Sequence, residues 1–131
     1  MKAIVLLAVA MTLTPSAATR LDGTQDHLWI VYRIDKSATT STTFVNLPGA
    51  NVMADVPEGT SAFLLARFVG NASSDCDFRT LVDGTVLPFV EDQPSGILGP
   101  GVHTVQVQFI LNGPNRCVIS NWSLRVERVT A

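Results

Sequence analysis

Histidine is nearly absent from this chain: His27 and His103 are the only two in 131 residues, and cysteine also occurs just twice, as Cys76 and Cys117. Two imidazoles so far apart in sequence give a histidine-built metal site little to draw on. No C-x-x-C pair occurs and neither cysteine stands near a histidine, which removes the zinc and redox motifs. Charge is scarce as well, at 15% of residues, and the nine Lys and Arg are scattered from Lys2 to Arg128 without a basic run. Nucleic-acid binding needs clustered cations that displace counter-ions from phosphate, so the composition argues against it. There is no G-x-S-x-G elbow for a serine nucleophile and no spaced acidic loop for calcium. Nothing in the sequence calls for a cofactor.

What is present is a folding chain. At 47% hydrophobic residues and a formal net charge of -2, it is too apolar and too weakly charged for wholesale disorder. Its length fits one domain with a real core. The opening stretch MKAIVLLAVAMTLTPSAATR has a positive start at Lys2, an apolar segment from Ala3 to Leu13, and small residues at Ser16 and Ala18. This is the pattern of a cleaved secretory signal over residues 1–18, with the mature domain over 19–131. The apolar run falls short of the roughly 20 residues that span a bilayer, so no membrane span is expected in the mature chain. The expected destination is secreted or extracellular, and the periplasm or cell surface fits the same signal. In an oxidising compartment Cys76 and Cys117 are expected to form a disulfide.

The rest reads as strands and turns. HLWIVYRI places Leu28, Ile30, Tyr32 and Ile34 on one face and Trp29, Val31 and Arg33 on the other, a period of two. DKSATTSTT reads as a loop or a polar edge strand. Pro48-Gly49 and PEGT at 57–60 read as turns, AFLLARFV as a buried strand, and Asp83-Gly84 as a two-residue hairpin turn. Val90 to Gly101 is expected to be a longer loop, followed by the strand VHTVQVQFIL, a turn at Asn112 to Asn115, and one or two closing strands. Seven to nine short strands without a helix predict an all-β, antiparallel β-sandwich, a pattern that jelly-roll and immunoglobulin-like topologies both satisfy.

Few side chains offer chemistry. His103 shares parity with Val105, Val107 and Phe109, which points it to the apolar face at the start of a strand, where its nitrogens can cap turn carbonyls. His27 is expected at a solvated strand end. Asp75, Asp77, Asp83, Glu91 and Asp92 all sit beside turn residues, where an aspartate normally bonds its own backbone and is not one of a hydrolytic pair. Among the nine aromatics, Phe63, Phe68, Phe78, Phe109 and Trp122 read as core. Trp29 and Tyr32 are the candidates for a sugar-stacking platform, with Trp29 the better exposed. Trp29, Tyr32 and His103 are thus the ligand-binding candidates, with no catalytic or metal-ligating residue assigned.

LVDGTVLP, GPGVHTVQVQF and NWSLRVERV together resemble the closing strands of C1q/TNF-like jelly-roll modules of exported bacterial and phage proteins. FLLARFVG before CDFRTLVDG resembles the paired strands that precede them there. The resemblance implies a jelly roll, often a homotrimer, that works in binding or assembly without catalytic residues. The expected function is therefore an exported, non-enzymatic binding, adhesion or assembly module whose partner is a protein or carbohydrate. A carbohydrate-binding module and, behind it, a hydrolase are the alternatives.

Overall fold

The computed structural model describes residues 24–88, 90 and 92–131. The expected export signal at 1–18, the expected mature start at Thr19 and the candidate carboxylate Glu91 lie outside the described residues. Among the described residues nine strands follow one another: β1 (Thr24–Arg33), β2 (Ser37–Thr39), β3 (Val45–Val56), β4 (Ala62–Ala72), β5 (Cys76–Val82), β6 (Thr85–Val86), β7 (Gln93–Pro94), β8 (Gly101–Leu111) and β9 (Cys117–Thr130). No described residue is helical, so no helix among them is long and apolar enough to cross a membrane.

Every pairing is antiparallel, in two sheets packed face to face. One runs β1-β9-β4-β7, with the short β2 also on β9, and the other runs β3-β8-β5-β6. Setting β2 aside, the pairs β1·β9, β3·β8, β4·β7 and β5·β6 nest inside one another, and successive pairs fall in alternate sheets. That is one long hairpin rolled up, the jelly roll. It differs from the ABED and CFG order of an immunoglobulin-like sandwich, the choice that periodicity left open.

Local chemistry explains the corners. Asp83 and Gly84 take φ of 49° and 84°, the pair of positive values that a tight hairpin needs. Thr60 N–H donates to the Pro57 carbonyl across the second expected turn. Pro48-Gly49 makes no turn, however. β3 runs straight through it, with its register against β8 slipping between Asn46 and Asn51. Proline has no N–H for the ladder and Gly49 accepts φ of 80°, so the pair forms a bulge inside one long strand. The expected loop from Val90 to Gly101 also departs from the sequence reading: it contributes β7, and Leu98 exchanges backbone hydrogen bonds with Ala62.

The core lies between the sheets. β3 gives it Leu47, Ala50, Val52 and Ala54, β8 gives Val105, Val107 and Phe109, and β9 gives Ile119, Trp122, Leu124 and Val126. Fully burying each larger side chain contributes about 1.5–3 kcal/mol before chain entropy is charged against it. Gly70 on β4 lies flat against Trp122, whose Cβ would stand 2.8 Å from any Cβ added there. At one end, Cys76 of β5 and Cys117 of β9 form a disulfide across 41 positions of sequence, with their Cα atoms 4.7 Å apart. It ties the two sheets together.

At the opposite end Arg128 does a similar job without a covalent bond. Only 10% of its side chain is exposed. Its Nε donates to Asp26 Oδ1 at 2.7 Å and its Nη1 to the Asp55 carbonyl at 2.6 Å, joining β9 to β1 and β3. The Asp26 carboxyl is held below its ordinary value, first by the Arg128 hydrogen bond and then by Thr130.

Candidate functional site

His103 stands near the beginning of β8, just after the Gly99-Pro100-Gly101 turn, with 15% of its side chain exposed. Its Nε2 donates to the Gly99 carbonyl at 2.8 Å, and its Nδ1 meets Asp83 Oδ2 at 2.6 Å. The other Asp83 oxygen accepts the Thr104 N–H at 2.9 Å, and the Asp83 N–H donates to the Thr104 carbonyl. Asp83 thus binds the β5–β6 hairpin to the start of β8, with His103 as the third member. The hydrogen bond from Asp83, with that to Gly99 behind it, raises the His103 pKa above its ordinary 6.5, and the same His103 contact lowers that of Asp83. Among the described residues no hydroxyl or thiol hydrogen-bonds the ring, so a nucleophile–base pair is not assembled there. The ring clamps a strand start.

Trp29 and Tyr32 are placed the other way round from the sequence reading. In the β1·β9 register Trp29 lies opposite Val126 and Val31 opposite Leu124, on the face that looks into the sandwich. Trp29 is half-buried against the core, with the His27 ring tilted against it at 4.2 Å between centroids and the Arg128 guanidinium 5.8 Å from its ring. Tyr32 is the exposed one, at 72%, together with Ile30 at 57% and Ile34 at 69%. The more apolar face of β1 is turned outward. Parity identified the two faces correctly, but apolarity misassigned which one the core takes.

That outward face is part of a larger pattern that sequence reading missed. Across β1, β9 and β4 the register sets three rows on the outer side of the sheet: Tyr32–Ser123–Val69, Ile30–Arg125–Arg67 and Leu28–Glu127–Leu65. Apart from Arg67 on β4, apolar side chains flank a polar midline on β9, where Arg125 Nε stands 3.4 Å from Glu127 Oε2. Burial raises the Glu127 pKa above its ordinary 4.5, and the Asp92 charge adds to this against the pull of Arg125 and Arg67. Val69 is half-exposed at the far side. The signal was legible only in part, because the alternation of β1 shows an apolar face while the facing residues of β4 come from a stretch that reads as continuous core.

The other sheet presents a different surface. Its outer face carries amides that satisfy one another: Arg79 Nε donates to Gln108 Oε1 and Gln108 Nε2 to Asn46 Oδ1, both at 2.8 Å, and the Arg79 guanidinium covers the Phe44 ring at 4.1 Å. Asp75 and Asp77 serve the 112–115 turn, Asp75 accepting from Asn115 N–H and Asp77 from the Asn112 side chain. No cluster of three or more His, Cys, Asp or Glu stands ready for a metal ion among the described residues. Scanned against protein-family models, curated proteins and solved structures, the chain matches none of them.

Proposed function

We propose that the chain is an exported, non-enzymatic jelly-roll module that works in binding or assembly, and that it associates with copies of itself through the outer face of the β1-β9-β4 sheet. The observation that carries this reading is the set of cross-strand rows just described, in which Ile30, Tyr32 and Val69 are each at least half exposed on one sheet face. Large apolar side chains gathered on one face of a soluble domain mark an interaction surface, and identical copies around an axis are the commonest way to cover one. The polar midline of Arg125 and Glu127 sets register between copies, because a misaligned partner leaves a half-buried charge unpaired. Resemblance to C1q/TNF-like modules supports the same reading and makes a homotrimer the expected assembly. The Cys76–Cys117 disulfide suits the oxidising compartment to which such a module is exported.

The sugar-platform alternative is supported less, since half-buried Trp29 faces the core and Tyr32 stands alone as the exposed aromatic of β1. Light scattering on the oxidised chain over a wide concentration range tests the proposal. A trimer that dissociates on Tyr32→Ser with Ile30→Asp is expected. A strict monomer at high concentration would falsify it.

A further inference from the structure

Two buried side-chain nitrogens among the described residues make no hydrogen bond, and they differ in kind. Trp122 Nε1 belongs to a ring only 2% exposed, sealed between the sheets. Arg125 Nε belongs to a side chain that is 31% exposed in the middle of the outer β1-β9-β4 face. Glu127 Oε2 stands 3.4 Å from it, near enough for attraction but off the line of the N–H, so the charges pair while the donor stays unmet. The cross-strand neighbours offer no relief. Arg125 stands opposite Ile30 on one side and Arg67 on the other, and a like charge directly opposite is repulsive. Glu127 lies between Leu28 and Leu65, where burial already makes its charge costly, as its raised pKa records.

We infer that assembly exchanges this pair between copies: Arg125 of each chain takes Glu127 of the partner copy, and its own Glu127 turns to a partner copy's Arg125. The inference rests on the self-association proposed above and names the contact that fixes it. A strand sets residues i and i+2 about 6.6 Å apart on one face, so within one chain the two side chains meet only by leaning along β9. A carboxylate arriving from a facing surface instead meets the guanidinium edge on, where Nε–H and one Nη–H donate two parallel bonds to its two oxygens. The donor left unmet in the single chain is one of those two. Charge complementarity selects a second copy over a partner of one sign, because the face carries cations at Arg67 and Arg125 and anions at Glu127 and, beside it, Asp92. The exchange closes in a ring of two or of three copies, since each chain gives one carboxylate and receives one.

Mixing variants tests the exchange. Arg125→Glu makes the midline acidic and Glu127→Arg makes it basic, so each oxidised chain alone should associate about tenfold more weakly than wild type in sedimentation velocity, the change one hydrogen bond between charged groups makes. An equimolar mixture should recover association, with mixed assemblies above the statistical proportion in native mass spectrometry of isotopically distinguished chains. A pair confined within each chain gives no such rescue, since neither variant retains both members. Where a reversed charge prevents folding, Arg125→Gln mixed with Glu127→Gln serves the same purpose, because only a contact between unlike chains brings the remaining arginine to the remaining carboxylate. Variants that associate as tightly as wild type, or weakened variants that mixing does not rescue, overturn the exchange while leaving the assembly face in place. A wild type that stays monomeric throughout overturns both.

Discussion

Raising the pH should loosen the start of β8, and the geometry gives both sign and size. Nε2 of His103 faces a carbonyl and Nδ1 faces a carboxylate, and neither acceptor can donate, so the ring keeps both bonds only as the imidazolium. Asp83 stabilises that charged form, and the His103 pKa accordingly lies above its ordinary 6.5. A group whose folded pKa is raised contributes stability in full below its unfolded value and loses it as pH rises through the folded one. Asp83, held below its ordinary 3.8, contributes above that value and loses its share as pH falls through the lower folded one. The pair is therefore complete between about pH 4 and 6.5 and weakens above. A hydrogen bond to a charged group contributes about 1.5–3 kcal/mol, but Asp83 is 44% exposed, and solvent screening brings the expected loss to about 1 kcal/mol. With a urea m-value of about 1–1.5 kcal/mol/M, the midpoint should drop by roughly 0.7–1 M between pH 5.5 and 8.5. Asp83→Asn isolates the charge, because asparagine serves the same two-residue turn equally well. The variant should start lower at pH 5.5 and change little with pH. Glu127, also raised, titrates from 4.5 upward and belongs to another face, so it affects both proteins alike. If wild type and Asp83→Asn decline in parallel, the His103–Asp83 pair is not what senses the pH.

Two further perturbations probe the frame. Replacing Cys76 and Cys117 by alanine removes a bridge across 41 residues, and loop-closure entropy puts the cost at about 4 kcal/mol, read as a lower urea midpoint; a loss under 1 kcal/mol would mean that the two strand ends are held as firmly by packing. Gly70→Ala would set a Cβ 2.8 Å from Trp122 Cβ and 3.1 Å from its Cα, and since backbone cannot step aside the expected loss is about 2–3 kcal/mol by calorimetry. An unchanged melting temperature would show that β4 and β9 are free to separate there.

Much of the fold was legible because its signals are local. Alternation in VHTVQVQF reproduces the burial of β8, where Val105, Val107 and Phe109 are interior and Gln106 and Gln108 alternate with them. The Asp83-Gly84 turn needed only its two residues to be recognised. Pro48-Gly49 was misread because a turn and a bulge ask for the same residues, and what separates them is whether β8 lies alongside, a long-range fact. Periodicity alone left jelly-roll order open for the same reason, and only the resemblance pointed to it. It depends on which strands meet across most of the chain, as when Thr24 pairs with Thr130.

β1 shows how far this reasoning carries into function. A monomer chooses the face it buries by apolarity alone, and on that rule Leu28, Ile30, Tyr32 and Ile34 belong inside, yet the strand is inserted with Trp29 and Val31 inward and Ile30 and Tyr32 outward. Register enforces the choice, because a slip by one residue would turn every side chain over and strip Arg128 of its Asp26 partner at 2.7 Å. The inward face is thus specified by a wide aromatic, a β-branched residue and a partly buried ion pair. The outward face is left apolar with nothing in the same sheet to cover it. Polar residues would serve a solitary domain better at Ile30 and Tyr32, where they would cost the core nothing. On the proposed function a second copy covers that surface, which is why light scattering, and not stability, is the measurement on which the proposal rests.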